Sequence, residues 1–175
     1  PATHMMASNL CWYGKCTFCI DTFKLEHGEA RGVRSVDHVM EEIDDLITQG
    51  YREVFDDSGT FPVGKWLEEF CAKMQSRKRH ITIGCNMKPV TLDYRMMKEA
   101  GFRFKSVTLD GRRGFVETIG KVLGPVPVQM CLYHQKAIIR RYITDRPQTP
   151  CGQELKAIMQ TLCQAGPETF IDDFY

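Results

Sequence analysis

With 175 residues, 43% of them hydrophobic and 26% charged, the chain is long enough to bury a core as one domain or as two small ones. A formal net charge of +1 gives no electrostatic footprint for nucleic acid, and no run of about 18 apolar residues suits a membrane span. Residues 1–6 lack the basic and apolar regions of a signal peptide, so the eight cysteines are expected in a reducing cytosol, as ligands or core residues rather than disulfides.

Cys11, Cys16 and Cys19 fall within nine positions, in the spacing C-x4-C-x2-C. Three thiolates on one short loop suit three irons of a [4Fe–4S] cube, leaving the fourth iron open to an exogenous ligand. The same thiols suit zinc with His27 as fourth ligand, or no metal at all. A polar stretch follows over residues 26–34. Ser35 then caps a helix whose apolar residues Val36, Val39, Met40, Ile43, Leu46 and Ile47 keep a 3.6 period up to Gly50.

Residues 53–55 predict a short strand ending in Asp56, Asp57, Ser58, Gly59 and Thr60. A helix from about Val63 buries Trp66, Leu67, Phe70, Cys71 and Met74, and the basic Arg77, Lys78 and Arg79 form its solvated end. Residues 81–87 predict the next strand, with Cys85 inside it. Thr91 caps a helix carrying Leu92, Met96, Met97 and Ala100, closed by Gly101, and residues 102–109 predict another strand. Strands alternating with helices of this length imply βαβ units, hence an α/β fold with a parallel sheet. Right-handed crossovers put the C-terminal ends of its strands on one rim. The cysteine loop and residues 56–60 both follow strands and belong on that rim, where barrel-like folds keep their active sites.

Residues 11–104 resemble the N-terminal part of a radical S-adenosylmethionine (SAM) domain, of the subgroup that often carries a cobalamin-binding domain upstream. The resemblance rests on the cysteine loop with Phe18 before its last thiol, on Arg34-Ser35-Val36, on Val54 through Phe61, and on Ile83-Gly84-Cys85-Asn86-Met87. The family's usual spacing is C-x3-C-x2-C; the longer first gap here occurs in some subgroups. The resemblance implies a partial (β/α) barrel and a [4Fe–4S] cluster on Cys11, Cys16 and Cys19. It further implies SAM seated partly by Asp56, Asp57, Ser58, Gly59 and Thr60, an electron donor, and cobalamin in a longer parent protein. The implied chemistry is reductive cleavage of SAM to methionine and a 5′-deoxyadenosyl radical, which takes hydrogen from a substrate that the residues do not identify. For residues 56–60 alone, an ordinary Asp/Ser/Gly turn is the competing interpretation.

From Val107 the pattern changes. A strand ends at Asp110 and turns on Gly111 and Gly114, and a short amphipathic segment carries Phe115, Ile119 and Val122. The turn Gly124-Pro125 and a strand over residues 126–130 follow. After them come a basic helix with Lys136, Arg140 and Arg141, a Pro/Thr loop over residues 144–150, and a helix with Leu155, Ile158, Met159 and Leu162. Cys71 and Cys163 suit core positions, and Cys151 falls in a Pro/Gly loop. Residues 106–175 resemble part of a DDE transposase with a ribonuclease-H-like core, of the Mutator-like and bacterial insertion-sequence type. The match rests on Leu109-Asp110-Gly111, Pro127, Gln129, Cys131, His134, residues 140–144 and residues 152–155. It implies DNA as partner and Asp110 as one of three catalytic carboxylates holding Mg²⁺. The other two are not evident; Asp57 with Glu154 or Glu168 makes only an improvised set. Cys131 and His134 suit either a zinc pair or a packed thiol beside a hydrogen-bonded imidazole.

The chain thus reads as a truncated radical SAM-like domain over residues 1–105, joined to a transposase-like, mostly helical α/β fragment over residues 106–175. Truncation is expected to impair the enzyme, and a fused fragment without activity is the third alternative. A strand continuous over residues 102–109, with the C-terminal segment covering the open sheet edge, would give one compact layer.

Overall fold

A computed structural model describes residues 1–17, 19–77, 80–88, 90–110 and 114–161. Phe18, Lys78, Arg79, Gly111, Leu162, Cys163 and Glu168, on which expectations above bear, lie outside the described residues. The fold is mixed α/β with small parallel sheets, and the chain divides into two compact units, Pro1–Arg103 and Phe104–Tyr175.

In the first unit, β1 (Ala2–Met5), β2 (Glu53–Asp56) and β3 (Thr82–Cys85) form a parallel sheet in the order β1-β2-β3. In-register rows run Ala2–Glu53–Thr82, Thr3–Val54–Ile83, His4–Phe55–Gly84 and Met5–Asp56–Cys85. Side chains alternate in direction along a strand, so the second and fourth rows share one face. Along β2 the consequence is plain: Val54 and Asp56 are buried, and Glu53 and Phe55 are not. The buried face carries α2 (Val36–Thr48) and α3 (Lys65–Gln75), whose Val36, Val39, Met40, Ile43, Leu67, Phe70 and Cys71 join Met5 and Val54 in one core. Phe61, Trp66 and Phe70 meet there, Trp66 stacking on Phe70 at 5.3 Å. Trp66 Nε1 donates to the Arg34 carbonyl at 2.7 Å, tying α3 to the segment that enters α2.

The helix ends follow from capping chemistry. Ser35 Oγ accepts the His38 N–H. Gly50 and Gly101 lie at φ 91° and 89°, where the Tyr51 and Phe102 amides reach back to the Leu46 and Met97 carbonyls. The closure at Gly101 corrects one expectation. Phe102 is committed to ending α4 (Thr91–Glu99) and stacks at 6.3 Å on Phe70, so strand structure begins only at Val107. A second correction concerns Thr91, which is the first helical residue. Val90 is the N-cap, its N–H donating to Asp93 Oδ2 at 2.7 Å.

In the second unit, β4 (Val107–Leu109) pairs in parallel with β5 (Val128–Met130), and the crossover contains α5 (Phe115–Leu123). These two strands form a sheet of their own. Among the described residues of this unit, Leu109, Ile119, Leu123 and Met159 are buried and apolar. α6 (Leu132–Ile143) and α7 (Pro150–Thr161) complete it. Cys151 sits exposed in the first turn of α7 rather than in a loop, because Pro150 serves as a helix-starting residue.

Phe70 carries the first core, so Phe70→Ala should cost about 3–5 kcal/mol of unfolding free energy by urea denaturation. A loss below about 1 kcal/mol would contradict this packing.

Candidate functional site

Asp56 ends β2 on the buried face. Its Oδ1 accepts the Ala7 N–H at 2.7 Å and the Ser58 hydroxyl at 2.9 Å. Ser58 Oγ in turn accepts the Ala7 and Ser8 amides at 3.1 and 2.8 Å. Asp56 at the end of β2 and Ser58 in the loop after it therefore hold the root of the cysteine loop. Asp56 Oδ2 is buried with no hydrogen-bond partner among the described residues. Burial raises the carboxyl above its ordinary value of 3.8, outweighing the hydrogen bonds from Ala7 and Ser58. Cys85, beside it in the row, is pushed up to about 12 by burial and by the neighbouring Asp56 charge. Cys71 is held up to about 11 by burial, with Asp93 adding to the shift.

The cysteine loop is anchored on a helix that periodicity did not reveal, α1 (Ile20–Glu26). Its residues Ile20 and Phe23 are exposed, so no apolar stripe marks it. Cys19 is its N-cap. Asp21 and Thr22 in its first turn reach back, Oδ2 accepting the Cys11 N–H at 2.9 Å and Oγ1 the Cys16 N–H at 3.1 Å. On the other side Arg31 Nε donates to the Leu10 carbonyl, and Asn9 exchanges hydrogen bonds with Gly32.

Gly59 completes the junction. A Cβ there would overlap Asp21 Oδ2 and lie 3.0 Å from the Cys11 nitrogen, so only glycine lets the two loops approach this closely. The loop after β3 joins the same rim. The Phe61 N–H donates to the Asn86 carbonyl at 2.7 Å, and Lys88 Nζ stands 2.8 Å from the centroid of the Tyr13 ring. Thr60 is buried with its hydroxyl 3.5 Å from the Asn86 carbonyl oxygen. Asp57 is half exposed and paired with His4.

The loops bearing Cys11, Cys16 and Cys19 and residues 56–60 thus meet at the C-terminal ends of β1 and β2. All three thiols are free and half-buried. As a donor set they fit a cube held by three thiolates. Among the described residues no group of three or more His, Cys, Asp and Glu is placed to hold a metal ion. Within residues 56–60, Asp56 and Ser58 are spent on Ala7 and Ser8, which leaves Asp57 and the Gly59 backbone as the parts nearest solvent and the cysteine loop. Asp21, Thr22 and Lys88 were not singled out from sequence; the one signal was an acidic residue in the first turn after Cys19.

In the second unit Asp110 is exposed just beyond β4, and Glu154 is exposed on α7. Cys131 is the N-cap of α6, its N–H bonded to the Leu109 carbonyl. Hydrogen bonds from the His134 backbone and ring hold its thiol below the usual range. No protein-family model matches the chain, and no curated protein matches it. No helix among the described residues is long and apolar enough to cross a membrane.

Asp56 yields a pH prediction with a definite sign. Its folded pKa is raised, so its stability contribution is full below its unfolded value and is lost as pH rises through the folded one. Asp56→Asn keeps an acceptor for Ala7 without the charge, and its stability relative to wild type should improve from pH 4 to pH 7 in urea melts. Asp56→Ala should lose about 1–3 kcal/mol, because the Ala7 amide and the Ser58 hydroxyl each lose an acceptor. A wild-type-to-Asn difference that is flat across this range would contradict the assignment.

Proposed function

We propose that the first unit is an iron–sulfur unit of the radical SAM type, its parallel strands being the front of a partial (β/α) barrel. Cys11, Cys16 and Cys19 would hold the cluster. The observation that supports this best is the junction of Cys11, Asp21 and Gly59, which sets a three-thiol loop against a glycine-bearing loop at the ends of neighbouring parallel strands. When bound, a [4Fe–4S] cluster with SAM at its open iron supplies one-electron cleavage of the sulfonium C5′–S bond.

The chain's own residues divide the remaining work. Asp21 and Thr22 fix the amides of Cys11 and Cys16, which restrains where those thiols start from. Gly59 admits the close approach of the cysteine loop, and the residue itself is solvent-exposed. The Asp57 carboxylate, half exposed, suits an ammonium group. Asp56 and Ser58 act one step back, as the clamp on Ala7 and Ser8. The transposase alternative is left with exposed Asp110, with no specific observation in its favour.

Anaerobic reconstitution with iron and sulfide should give a brown protein absorbing at about 400 nm. Dithionite and SAM should then yield methionine and 5′-deoxyadenosine. Cys16→Ala should lose most of the absorbance, and Gly59→Ala should fold but take up at least about threefold less iron as the Cys11–Asp21 contact is displaced. A wild-type protein that stays colourless, or that takes up zinc in place of iron, would refute the proposal.

A further inference from the structure

We infer that the indole N–H of Trp12 is a hydrogen-bond donor to a sulfur of the cluster proposed on Cys11, Cys16 and Cys19, and that it sets how readily that cluster accepts an electron. This role rests on the cluster reading above and adds to it a residue outside the three thiols. Trp12 lies in the cysteine loop directly after Cys11. Its Nε1 is buried and has no hydrogen-bond partner among the described residues. An indole nitrogen is a donor only, so burial without an acceptor leaves its desolvation uncompensated. Trp66, the second of the chain's two tryptophans, shows the ordinary arrangement, its Nε1 donating to the Arg34 carbonyl at 2.7 Å.

The oxygen acceptors of the loop and its anchor are already engaged. Asp21 Oδ2 takes the Cys11 amide, Thr22 Oγ1 the Cys16 amide, the Leu10 carbonyl the Arg31 Nε, and the Cys16 carbonyl the Cys19 amide. What the loop adds beyond these is sulfur, on three free and half-buried cysteines. Thiolate and sulfide of a bound cluster accept N–H bonds, and such bonds favour the more negative, reduced state and so raise the reduction potential. The indole ring is held by aromatic packing, edge-on to Tyr13 at 6.1 Å, with Lys88 against the Tyr13 ring. Trp12→Phe therefore removes the donor and keeps an aromatic ring at that position.

The test uses the full chain, labelled with ¹⁵N at its tryptophan indoles, reconstituted with iron and sulfide and reduced with dithionite. Pulsed electron–nuclear double resonance should show a ¹⁵N coupling to the cluster spin. Trp12→Phe should remove that coupling, and Trp66→Phe should keep it. Trp12→Phe should also take up as much iron as the wild type yet have a more negative midpoint potential by spectroelectrochemistry, while Trp66→Phe leaves the potential unchanged. Should Trp12→Phe fail to fold, the wild-type coupling and its survival in Trp66→Phe decide the matter. A cluster whose signal SAM shifts but which shows no ¹⁵N coupling overturns the role of Trp12 and leaves the cluster reading standing. So does a midpoint potential that Trp12→Phe leaves where it was. A wild-type chain that assembles no cluster overturns both.

Discussion

The buried carboxylate of Asp56 is the constraint on which the first unit's rim depends. It ends β2 facing the helices, where an ionised oxygen is expensive, and it offsets that cost by accepting from Ala7 and Ser58. The raised pKa says which effect is larger: burial disfavours the charge more than these hydrogen bonds favour it. What the arrangement secures is position. Ser58 is turned so that its hydroxyl also takes the Ser8 amide, and the chain leaving β1 is locked to the chain leaving β2. The contacts of Cys11 with Asp21 and of Lys88 with Tyr13 lie farther along the chain leaving β1.

Polar side chains hold the rim's backbone in place. Side chains of α1 satisfy the Cys11 and Cys16 amides, and Cys11, Cys16 and Cys19 are not paired in disulfides. The thiols of Cys71 and Cys85 are different in kind. Burial keeps both protonated at neutral pH, and a protonated thiol is a poor nucleophile and a poor ligand. Among the described cysteines of the first unit, Cys71 and Cys85 are therefore the ones burial holds in the thiol form.

Much of the first unit was legible because its signals are local and strong. The 3.6 period of Val36, Val39, Met40 and Ile43, the cap at Ser35 and the stop at Gly50 each have a direct physical cause in the structure. The α/β alternation likewise follows from short apolar strands between amphipathic helices. Where prediction failed, tertiary demands decided. Residues 102–106 have the look of a strand, yet Phe102 is taken by the Gly101 helix end and the stack on Phe70. α1 escaped notice because its role is polar: it anchors a loop rather than burying a stripe. The partners of Asp56 were equally hidden, since a hydrogen bond spanning 49 positions leaves no mark in local sequence. Only the fold brings Ala7 to Asp56.

The most direct test of the cysteine loop's role is electron paramagnetic resonance of the anaerobically reconstituted, dithionite-reduced protein before and after adding SAM. A cluster held by three thiolates gives a spin-½ signal whose g-values move when SAM occupies the open iron, and Cys11→Ala removes the signal. A spectrum that SAM leaves unchanged, or the absence of any cluster signal in the wild type, would contradict the account.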